Sequence, residues 1–161
     1  MKRAVCLLSG GIDSATTAAV AKSEGYEIFT LTVDYGQKHR REIEFALKQS
    51  EALTTKEHLV LKVDLSLWGG SALTSAAIAV PEAREYADRE IPVTYVPARN
   101  LVFLSLAVSL AEARGAQRVY FGANSRDYSG YPDCRPEFVE AFNRAALLGT
   151  RAGTEGEAIE I

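Results

Sequence analysis

The sequence contains 161 residues, of which 47% are hydrophobic, and its formal charge is 18 − 21 = −3. This length and apolar content suffice for one sizeable core, which predicts a single domain over residues 1–161. Neither a run of five like charges nor an apolar stretch of membrane-spanning length occurs, so we expect neither a nucleic acid nor a membrane as partner. Cys6 and Cys134 are too few for a disulfide framework and predict a reducing, cytoplasmic setting. The sequence leaves a homodimer open.

Apolar runs alternate with helical patterns along the chain, which predicts an α/β fold with a parallel sheet between two layers of helices. In chain order, we predict a strand over 4–8, a helix over 14–24, a strand over 27–33, a helix over 38–53, a strand over 58–63, a buried helix over 100–114, a strand over 118–121 and a helix over 136–148. Gly25 and Gly115 follow two of these helices and favour the left-handed conformation in which many helices end. Ala46 and Leu47 are expected on the apolar face of the second helix.

Two segments lie outside this alternation. Residues 66–94 mix small and charged residues without a sustained period. Because so long a connection is unusual in a compact domain, it predicts a mobile lid. Residues 149–161 are glycine-rich and end in what reads as the start of a further strand.

The turn after the first predicted strand has the sequence SGGIDS over residues 9–14. Gly10 and Gly11 permit backbone conformations closed to other residues and let a ligand approach the main chain. The N–H groups at the start of the next helix, together with its dipole, form an anion site. No Gly-Lys-Ser/Thr sequence ends the turn, which therefore differs from the P-loop of kinases and GTPases. We predict a phosphate site here; the alternative is an ordinary glycine turn capped by serine.

The same turn resembles the Ser-Gly-Gly-x-Asp-Ser motif of the PP-loop ATP pyrophosphatases, enzymes that adenylate a substrate and release pyrophosphate. Three further segments resemble one family of this class, the 7-cyano-7-deazaguanine synthases of queuosine biosynthesis. They are VDYGQKH over 33–39, VPARN over 96–100 and GANSRDYSGYPDCRP over 122–136. The resemblance implies a Rossmann-like PP-loop domain with the adenine nucleotide alpha hydrolase-like fold.

The activity implied by this resemblance is that of an ATP-dependent carbon–nitrogen ligase. Such an enzyme converts 7-carboxy-7-deazaguanine and ammonia to 7-cyano-7-deazaguanine through an adenylated intermediate, with ATP and Mg²⁺. Asp13 would repel phosphate unless it caps the helix or orients the Mg²⁺ ion. We expect catalytic roles for Ser9, Asp13 and Ser14. The expected ATP contacts are Leu8, Ser9, Gly10, Gly11, Ile12, Asp13, Ser14, Ala15, Thr16, Thr17, Ala18 and, for the adenine, Val33.

Five residues of the other matching segments are the expected substrate contacts: Arg99, Asn100, Asn124, Asp127 and Asp133. Arg99 is suited to receive a carboxylate bidentately, and Asn124 and Asp127 are suited to hold a purine-like ring through paired hydrogen bonds. Each has a structural alternative. Arg99 and Asn100 open the buried helix, with Asn100 as its cap, and Asp127 and Asp133 stabilise turns.

The cysteines and His39 receive no catalytic role. Cys134 lacks a base nearby in sequence, so we expect it to line the substrate site or to serve the structure. Cys6 lies in a predicted core strand and should be inert. His39 lies in a basic Lys-His-Arg-Arg cluster, for which a solvated turn is the expectation.

The chain departs from the family it resembles in its C-terminal region. The family has a cysteine cluster there that binds zinc, whereas no cysteine follows Cys134. The ligands of that zinc site are therefore absent, and we predict no metal-ligating residues. The family also continues with a strand, a helix and the zinc region beyond the position of Ile161, so we expect a C-terminally incomplete form.

Two other functions share parts of this pattern. A tRNA-thiolating or lysidine-type adenylating enzyme shares the PP-loop, but no basic stretch or catalytic cysteine pair supports it. A nucleotide-binding sensor of the universal-stress type has a similar sheet. It needs neither the loop over 124–134 nor the connection over 66–94, and it would bind ATP without forming AMP.

Overall fold

The computed structural model describes residues 2–37, 41–74, 91–124 and 130–161. Its elements, in chain order, are β1 (Arg3–Leu7), α1 (Ile12–Ser23), β2 (Glu27–Asp34), α2 (Arg41–Ala52), β3 (Glu57–Lys62), a 3-10 helix (Leu65–Trp68), α3 (Arg99–Arg114), β4 (Arg118–Tyr120), a second 3-10 helix (Pro132–Cys134), α4 (Pro136–Gly149) and α5 (Arg151–Thr154). Every predicted strand and helix is present. Gly25 and Gly115 follow α1 and α3 with φ angles of +85° and +61°, as predicted.

The four strands form one parallel sheet in the order β3-β2-β1-β4. Ala4 of β1 lies opposite Ile28 of β2 on one side and opposite Arg118 of β4 on the other. The chain therefore builds outward from β1 to β3 and then crosses back to the far side of β1. Open α/β sheets bind ligands at such a reversal, because the loops after the two diverging strands leave a crevice there.

Helices cover both faces of this sheet. Successive side chains of a strand point to opposite faces, and on β1 Cys6 packs with Ala18 of α1 and Ala46 of α2. Val5 points the other way and packs with Leu104 of α3. The predicted three-layer α/β/α arrangement is confirmed. None of the helices in the described ranges has the length and apolarity needed to cross a bilayer.

The structure differs from the prediction at three places. The helix α3 was predicted to be buried, but only Leu104, Ala107, Val108 and Ala111 are buried in it, and Leu101 is 45% exposed. Leu47 of α2 is 48% exposed, whereas Ala46 is fully buried, so the apolar face of α2 is narrower than its sequence indicates. The last residues contain the short helix α5 before the chain returns to the sheet. There a parallel bridge between Arg118 and Glu160 adds the start of the predicted further strand.

The predicted lid over 66–94 lies partly outside the described residues, since 75–90 are not among them. The described residues at the two ends of this segment form hydrogen bonds with one another. Ser71 and Ala72 are fully buried. The Ala72 N–H donates to the Val93 carbonyl oxygen at 2.8 Å, and Ser71 Oγ donates to the Thr94 carbonyl oxygen at 3.2 Å.

Candidate functional site

A cavity of about 430 Å³ opens at the carboxyl ends of β1 and β2. Its walls come from the turn after β1, the end of β2, the start of α3 and the segment that follows β4. The predicted site residues that line it are Leu8, Ser9, Gly10, Gly11, Asp13, Ser14, Val33, Arg99 and Asn100. The structure thus brings the predicted phosphate turn and the predicted substrate arginine into one cavity.

Gly10 packs against α2 at a distance that only glycine allows. Its φ angle is +87°, a conformation that residues with a side chain rarely adopt. A Cβ atom at this position would collide with the carbonyl oxygen of Glu42. Gln49 of α2 also donates a hydrogen bond from Nε2 to the Gly10 carbonyl oxygen at 2.8 Å. The turn is therefore held from the α2 side.

Gly11 is under no such constraint. Its φ and ψ angles of −79° and 165° are those of ordinary extended backbone, and an added Cβ would meet Ser9 Oγ at 3.4 Å, an ordinary contact. Both glycines were predicted to be needed for an unusual conformation, and the structure supports this for Gly10 alone. At Gly11, the absence of a side chain affects how closely a ligand approaches the main chain.

The hydroxyl groups of Ser9 and Ser14 are used within the turn. Ser14 Oγ donates to the Gly11 carbonyl oxygen at 3.0 Å and lies 3.0 Å from Ser9 Oγ. The Ser9 N–H donates to Ser14 Oγ at 3.1 Å, and the Gly11 N–H donates to Ser9 Oγ at 3.3 Å. Because these bonds shape the turn, contacts with an anion fall mainly to backbone amides.

The start of α1 provides such amides. Its first intrahelical bond runs from the Ala15 N–H to the Gly11 carbonyl oxygen at 3.2 Å, so the N–H groups of Ile12, Asp13 and Ser14 precede the helical ladder. With the helix dipole, these groups are suited to bind an anion, and the start of α1 is the candidate anion site. The residue at the N-cap is Gly11, and no side chain caps the helix. The capping roles considered for Asp13 and for a serine are therefore wrong.

Part of the predicted ATP set lies away from the cavity wall: Ile12, Ala15, Thr16, Thr17 and Ala18. A helix advances about 100° per residue, so successive side chains of α1 point in different directions and only some of them reach the cavity. Ile12 is 79% exposed to solvent, and Ala18 is fully buried in the core beneath α1. For Ala18, the structure corrects the expectation of a nucleotide contact to a packing role.

The segment after β4 closes over the start of α1. A Cβ atom on Gly122 would lie 2.9 Å from the backbone nitrogen of Ser14, so the two segments approach main chain to main chain. Asn124 Nδ2 donates to Asp13 Oδ2 at 3.4 Å, and Asn124 does not line the cavity. Asn124 was expected to hold the substrate ring, and the structure instead shows it at the aspartate of the phosphate turn.

Arg99 lines the cavity from the start of α3. Its Nη1 donates to the Tyr35 hydroxyl oxygen at 3.4 Å, and its Cζ lies 5.6 Å from the centroid of that ring. The Tyr35 ring in turn packs on Phe103, with centroids 5.5 Å apart. Within the described part of the chain, no carboxylate forms an ion pair with Arg99. A guanidinium has five N–H donors, so donors remain here for an anionic ligand.

The start of α3 has an unusual backbone. Ala98, at its N-cap, has φ and ψ angles of +52° and 27°, a left-handed conformation that costs a residue with a side chain about 1–2 kcal/mol. The first two N–H groups of the helix donate to acceptors that lie outside the helix. The Arg99 N–H donates to the Val96 carbonyl oxygen at 3.1 Å, and the Asn100 N–H donates to Asp133 Oδ2 at 2.8 Å.

Asn100 and Asp133 were both expected to contact the substrate, and the structure corrects this for Asp133 alone, since Asn100 lines the cavity. Asp133 is only 6% exposed and does not line the cavity, because its carboxylate is used by the helix amide. Asn100 reaches the cavity wall, but its Nδ2 donates to the Asp133 carbonyl oxygen at 3.4 Å and to Cys134 Sγ at 3.1 Å. Asn100 lies inside α3, so the alternative that it caps the helix is also wrong.

The two cysteines differ in their surroundings. Cys6 is fully buried in β1, and burial raises the pKa of its thiol to about 12, which agrees with the expectation that it is inert. Cys134 is 6% exposed, lines the cavity and accepts the bond from Asn100. Asp127 and His39 lie outside the described residues.

Two residues that shape the cavity were not among the site residues predicted from the sequence. Tyr35 supports Arg99, and Gln49 holds Gly10. Gln49 lies three residues after the buried Ala46 and therefore on the buried face of α2. A polar side chain on the buried face of an amphipathic helix is a signal that would have identified it, since such groups require a partner.

Among the described residues, no group of three His, Cys, Asp or Glu side chains is arranged to hold a metal ion. Mg²⁺ needs less from a protein, because it is usually held by one or two carboxylates together with substrate phosphates. Asp13 is exposed in the first turn of α1, beside the amides of the anion site. Its carboxylate suits that ion.

A parallel sheet whose strand order reverses at β1, with a glycine turn and a helix start at that point, defines a nucleotide-binding domain of the PP-loop class. The family model described as "Queuosine biosynthesis protein QueC" matches residues 3–161. The chain belongs to this family.

Its relatives share more than half of its residues. The 7-cyano-7-deazaguanine synthase of Gloeothece citriformis is 56% identical over 159 residues, which is 99% of this chain and 69% of that protein. The synthase of the same name from Anaeromyxobacter dehalogenans is 57% identical, with the same coverage of both chains. Among solved structures, a predicted subunit of a tRNA methyltransferase from Methanocaldococcus jannaschii matches with a TM-score of 0.56. It covers 91% of this chain and 64% of that chain at 17% identity, and so shares the fold.

Proposed function

We propose that this chain is an ATP-dependent enzyme of queuosine biosynthesis that converts 7-carboxy-7-deazaguanine and ammonia to 7-cyano-7-deazaguanine. The observation that carries the proposal is that residues at the start of α1 and Arg99 line one and the same cavity. Relatives that are 54–57% identical over almost the whole chain are synthases of this product. The two cysteines are not joined in a disulfide, which supports a reducing cytoplasm as the setting.

The phosphates of ATP bind to the backbone N–H groups at the start of α1. These amides and the helix dipole stabilise the charge that develops on pyrophosphate as it leaves. Asp13, with phosphate oxygens, would hold Mg²⁺, which supplies further neutralisation of that charge. The adenine lies beside the end of β2, where Val33 lines the cavity, and main-chain groups there would bind the base edge.

The substrate carboxylate binds to the guanidinium of Arg99. One carboxylate oxygen accepts hydrogen bonds from Arg99, and the other is thereby directed at the α-phosphorus of ATP. Holding the two reactants in this orientation converts a bimolecular encounter into an intramolecular step. The Tyr35 ring beneath Arg99 limits the directions that its guanidinium can take.

The chemistry proceeds through two adenylations. The carboxylate oxygen bonds to the α-phosphorus and pyrophosphate leaves, which gives an acyl-adenylate. Ammonia adds to the acyl carbon, loses a proton and displaces AMP to form the amide. The amide oxygen then attacks the α-phosphorus of a second ATP and releases a second pyrophosphate. Loss of the two amide protons and of AMP leaves the nitrile.

The experiment incubates the purified chain with ATP, Mg²⁺, ammonium and 7-carboxy-7-deazaguanine, and measures AMP and the nitrile by mass spectrometry. Two AMP per nitrile are expected, and omission of ammonium should prevent both amide and nitrile. Parallel reactions with other aromatic carboxylates serve as controls for the substrate. Bound ATP without any AMP would favour a nucleotide sensor, and AMP formation that depends on added tRNA would favour a tRNA-modifying enzyme.

A further inference from the structure

The start of α3 is held by a side chain from a distant segment. The Asn100 N–H donates to Asp133 Oδ2 at 2.8 Å, and Asn100 Nδ2 donates to the Asp133 carbonyl oxygen at 3.4 Å. Asp133 therefore makes the bond that an N-cap side chain normally makes. The side chain of Ala98, the N-cap residue, has no polar group with which to make this bond.

Asp133 brings its carboxylate into a nearly buried position, with 6% of the residue exposed. A buried carboxylate is unfavourable unless it is bonded or compensated. Here it lies at the N-terminus of a 16-residue helix, whose dipole favours negative charge at that end. Asp133 and the start of α3 thus stabilise one another, and the loss of one leaves the other without compensation.

Arg99 is the residue that this arrangement orients. It lies between Ala98, with its left-handed backbone, and Asn100, which is bonded to Asp133. Its guanidinium lies over the Tyr35 ring. A residue held in a sparsely populated conformation keeps it only while its surroundings enforce it. A looser start of α3 would let Ala98 relax and would redirect Arg99.

We propose that Asp133 is a positioning residue that holds the left-handed turn at Ala98 and so aims Arg99 at the carboxylate of the substrate. The inference rests on the proposed function, in which Arg99 receives that carboxylate. Asp133 itself touches no reactant. Binding of the carboxylate substrate depends on Asp133, whereas binding of ATP at α1 does not.

The test compares three variants of the full chain. Asp133→Ala removes the carboxylate, Asp133→Asn keeps an acceptor oxygen in the same shape, and Glu137→Gln removes an exposed charge from the first turn of α4 as the matched control. We expect Asp133→Ala to raise KM for 7-carboxy-7-deazaguanine by about 10-fold or more, and Asp133→Asn by less, with KM for ATP unchanged. Equal rises in both KM values, or a lower kcat with unchanged KM, would overturn the proposal. Asp133→Asn decides the matter if Asp133→Ala fails to fold.

A double-mutant cycle separates positioning from direct contact. In an Arg99→Ala background, Asp133→Ala should change KM for the carboxylate by less than about 2-fold, because the residue through which it acts is gone. Independent, multiplicative effects would contradict the proposal.

If the unsubstituted chain forms no AMP from this carboxylate, the proposed function fails, and Asp133 is then tested without turnover. The Nε–H signal of Arg99 in an NMR spectrum, assigned by its loss in Arg99→Lys, should shift in Asp133→Asn and remain in place in Glu137→Gln. An unmoved signal in Asp133→Asn would refute the positioning role.

Discussion

Gln49 of α2 donates a 2.8 Å hydrogen bond from its side-chain amide to the carbonyl oxygen of Gly10, which links the second helix to the phosphate turn. The turn is thereby held by a residue 39 positions away. The geometry of the anion site depends on α2 as well as on the loop itself, although Gln49 does not line the cavity.

Substitution of Gln49 should weaken nucleotide binding. Gln49→Ala removes this part-buried hydrogen bond to the Gly10 carbonyl oxygen, which costs about 0.5–1.5 kcal/mol. Gln49→Glu should be worse, because a carboxylate oxygen would then face the carbonyl oxygen. We expect the Kd for MgATP, measured by calorimetry, to be lowest with Gln at position 49, higher with Ala and highest with Glu. Lys48→Ala, on the exposed side of the same helix turn, is the control, and an equal effect of Lys48→Ala would contradict this role of Gln49.

Gly10 and Gly11 should respond differently to alanine. Gly10→Ala forces a Cβ atom onto the Glu42 carbonyl oxygen at a φ angle of +87°, so we expect a loss of at least about 1–2 kcal/mol in the free energy of unfolding. Gly11 has an ordinary extended backbone, so the free energy of unfolding of Gly11→Ala should stay within about 0.5 kcal/mol of that of the unsubstituted chain. Urea denaturation measures both. A Gly10→Ala chain as stable as Gly11→Ala would show that the turn is not held against α2 in solution.

Asp13→Asn tests the role of the acidic side chain at the anion site. Asp13 is exposed and caps no helix, so the melting temperature should change little. If Asp13 holds Mg²⁺ with the phosphates, pyrophosphate release should fall by about 100-fold or more, with a higher Mg²⁺ concentration needed for half-maximal rate. Unchanged Mg²⁺ dependence would remove Asp13 from the metal site.

Structural features with a local cause could be predicted from the sequence, whereas contacts between residues far apart in the chain could not. Gly25 and Gly115 end their helices as predicted because the left-handed conformation favours glycine at that one position. The bond between Asn100 and Asp133 joins residues 33 positions apart, and no periodicity records such a pairing. Ala98 takes a left-handed conformation that its own side chain disfavours, so only the surrounding structure accounts for it. For this reason Asp133 was predicted to contact the substrate, as Arg99 was. Arg99 does line the cavity, whereas Asp133 supports the start of α3 instead.

The two cysteines should differ in reactivity toward iodoacetamide. Cys6 is fully buried, and its thiol has a pKa raised to about 12 by burial, so almost no thiolate forms at pH 8. Cys134 lines the cavity and should be alkylated at least about 10-fold faster than Cys6 in the folded protein. Peptide mass spectrometry measures both rates, and unfolding in urea should make them similar. Labelling of Cys6 at the rate of Cys134 in the folded chain would contradict the burial of β1.

His58 should make the stability of the protein depend on pH. It lies on β3 with Nδ1 2.8 Å from Thr30 Oγ1, and burial lowers the pKa of its ring below the ordinary value of 6.5. In the unfolded chain the ring takes up a proton near that ordinary value, while the folded chain still resists protonation. Below pH 6.5 the unfolded state therefore binds more protons than the folded state, and the free energy of unfolding decreases as the pH falls.

The measurement is the free energy of unfolding in urea between pH 7.5 and pH 5.5. The contribution of His58 is fully present above pH 6.5 and is lost progressively below it, so His58→Gln should reduce the slope of stability with pH in this range. Lys62→Gln, an exposed change on the same strand, should leave the slope as it is, because lysine does not titrate there. The same slope in His58→Gln as in the parent would show that the folded protein accepts the proton on His58 as readily as the unfolded chain does.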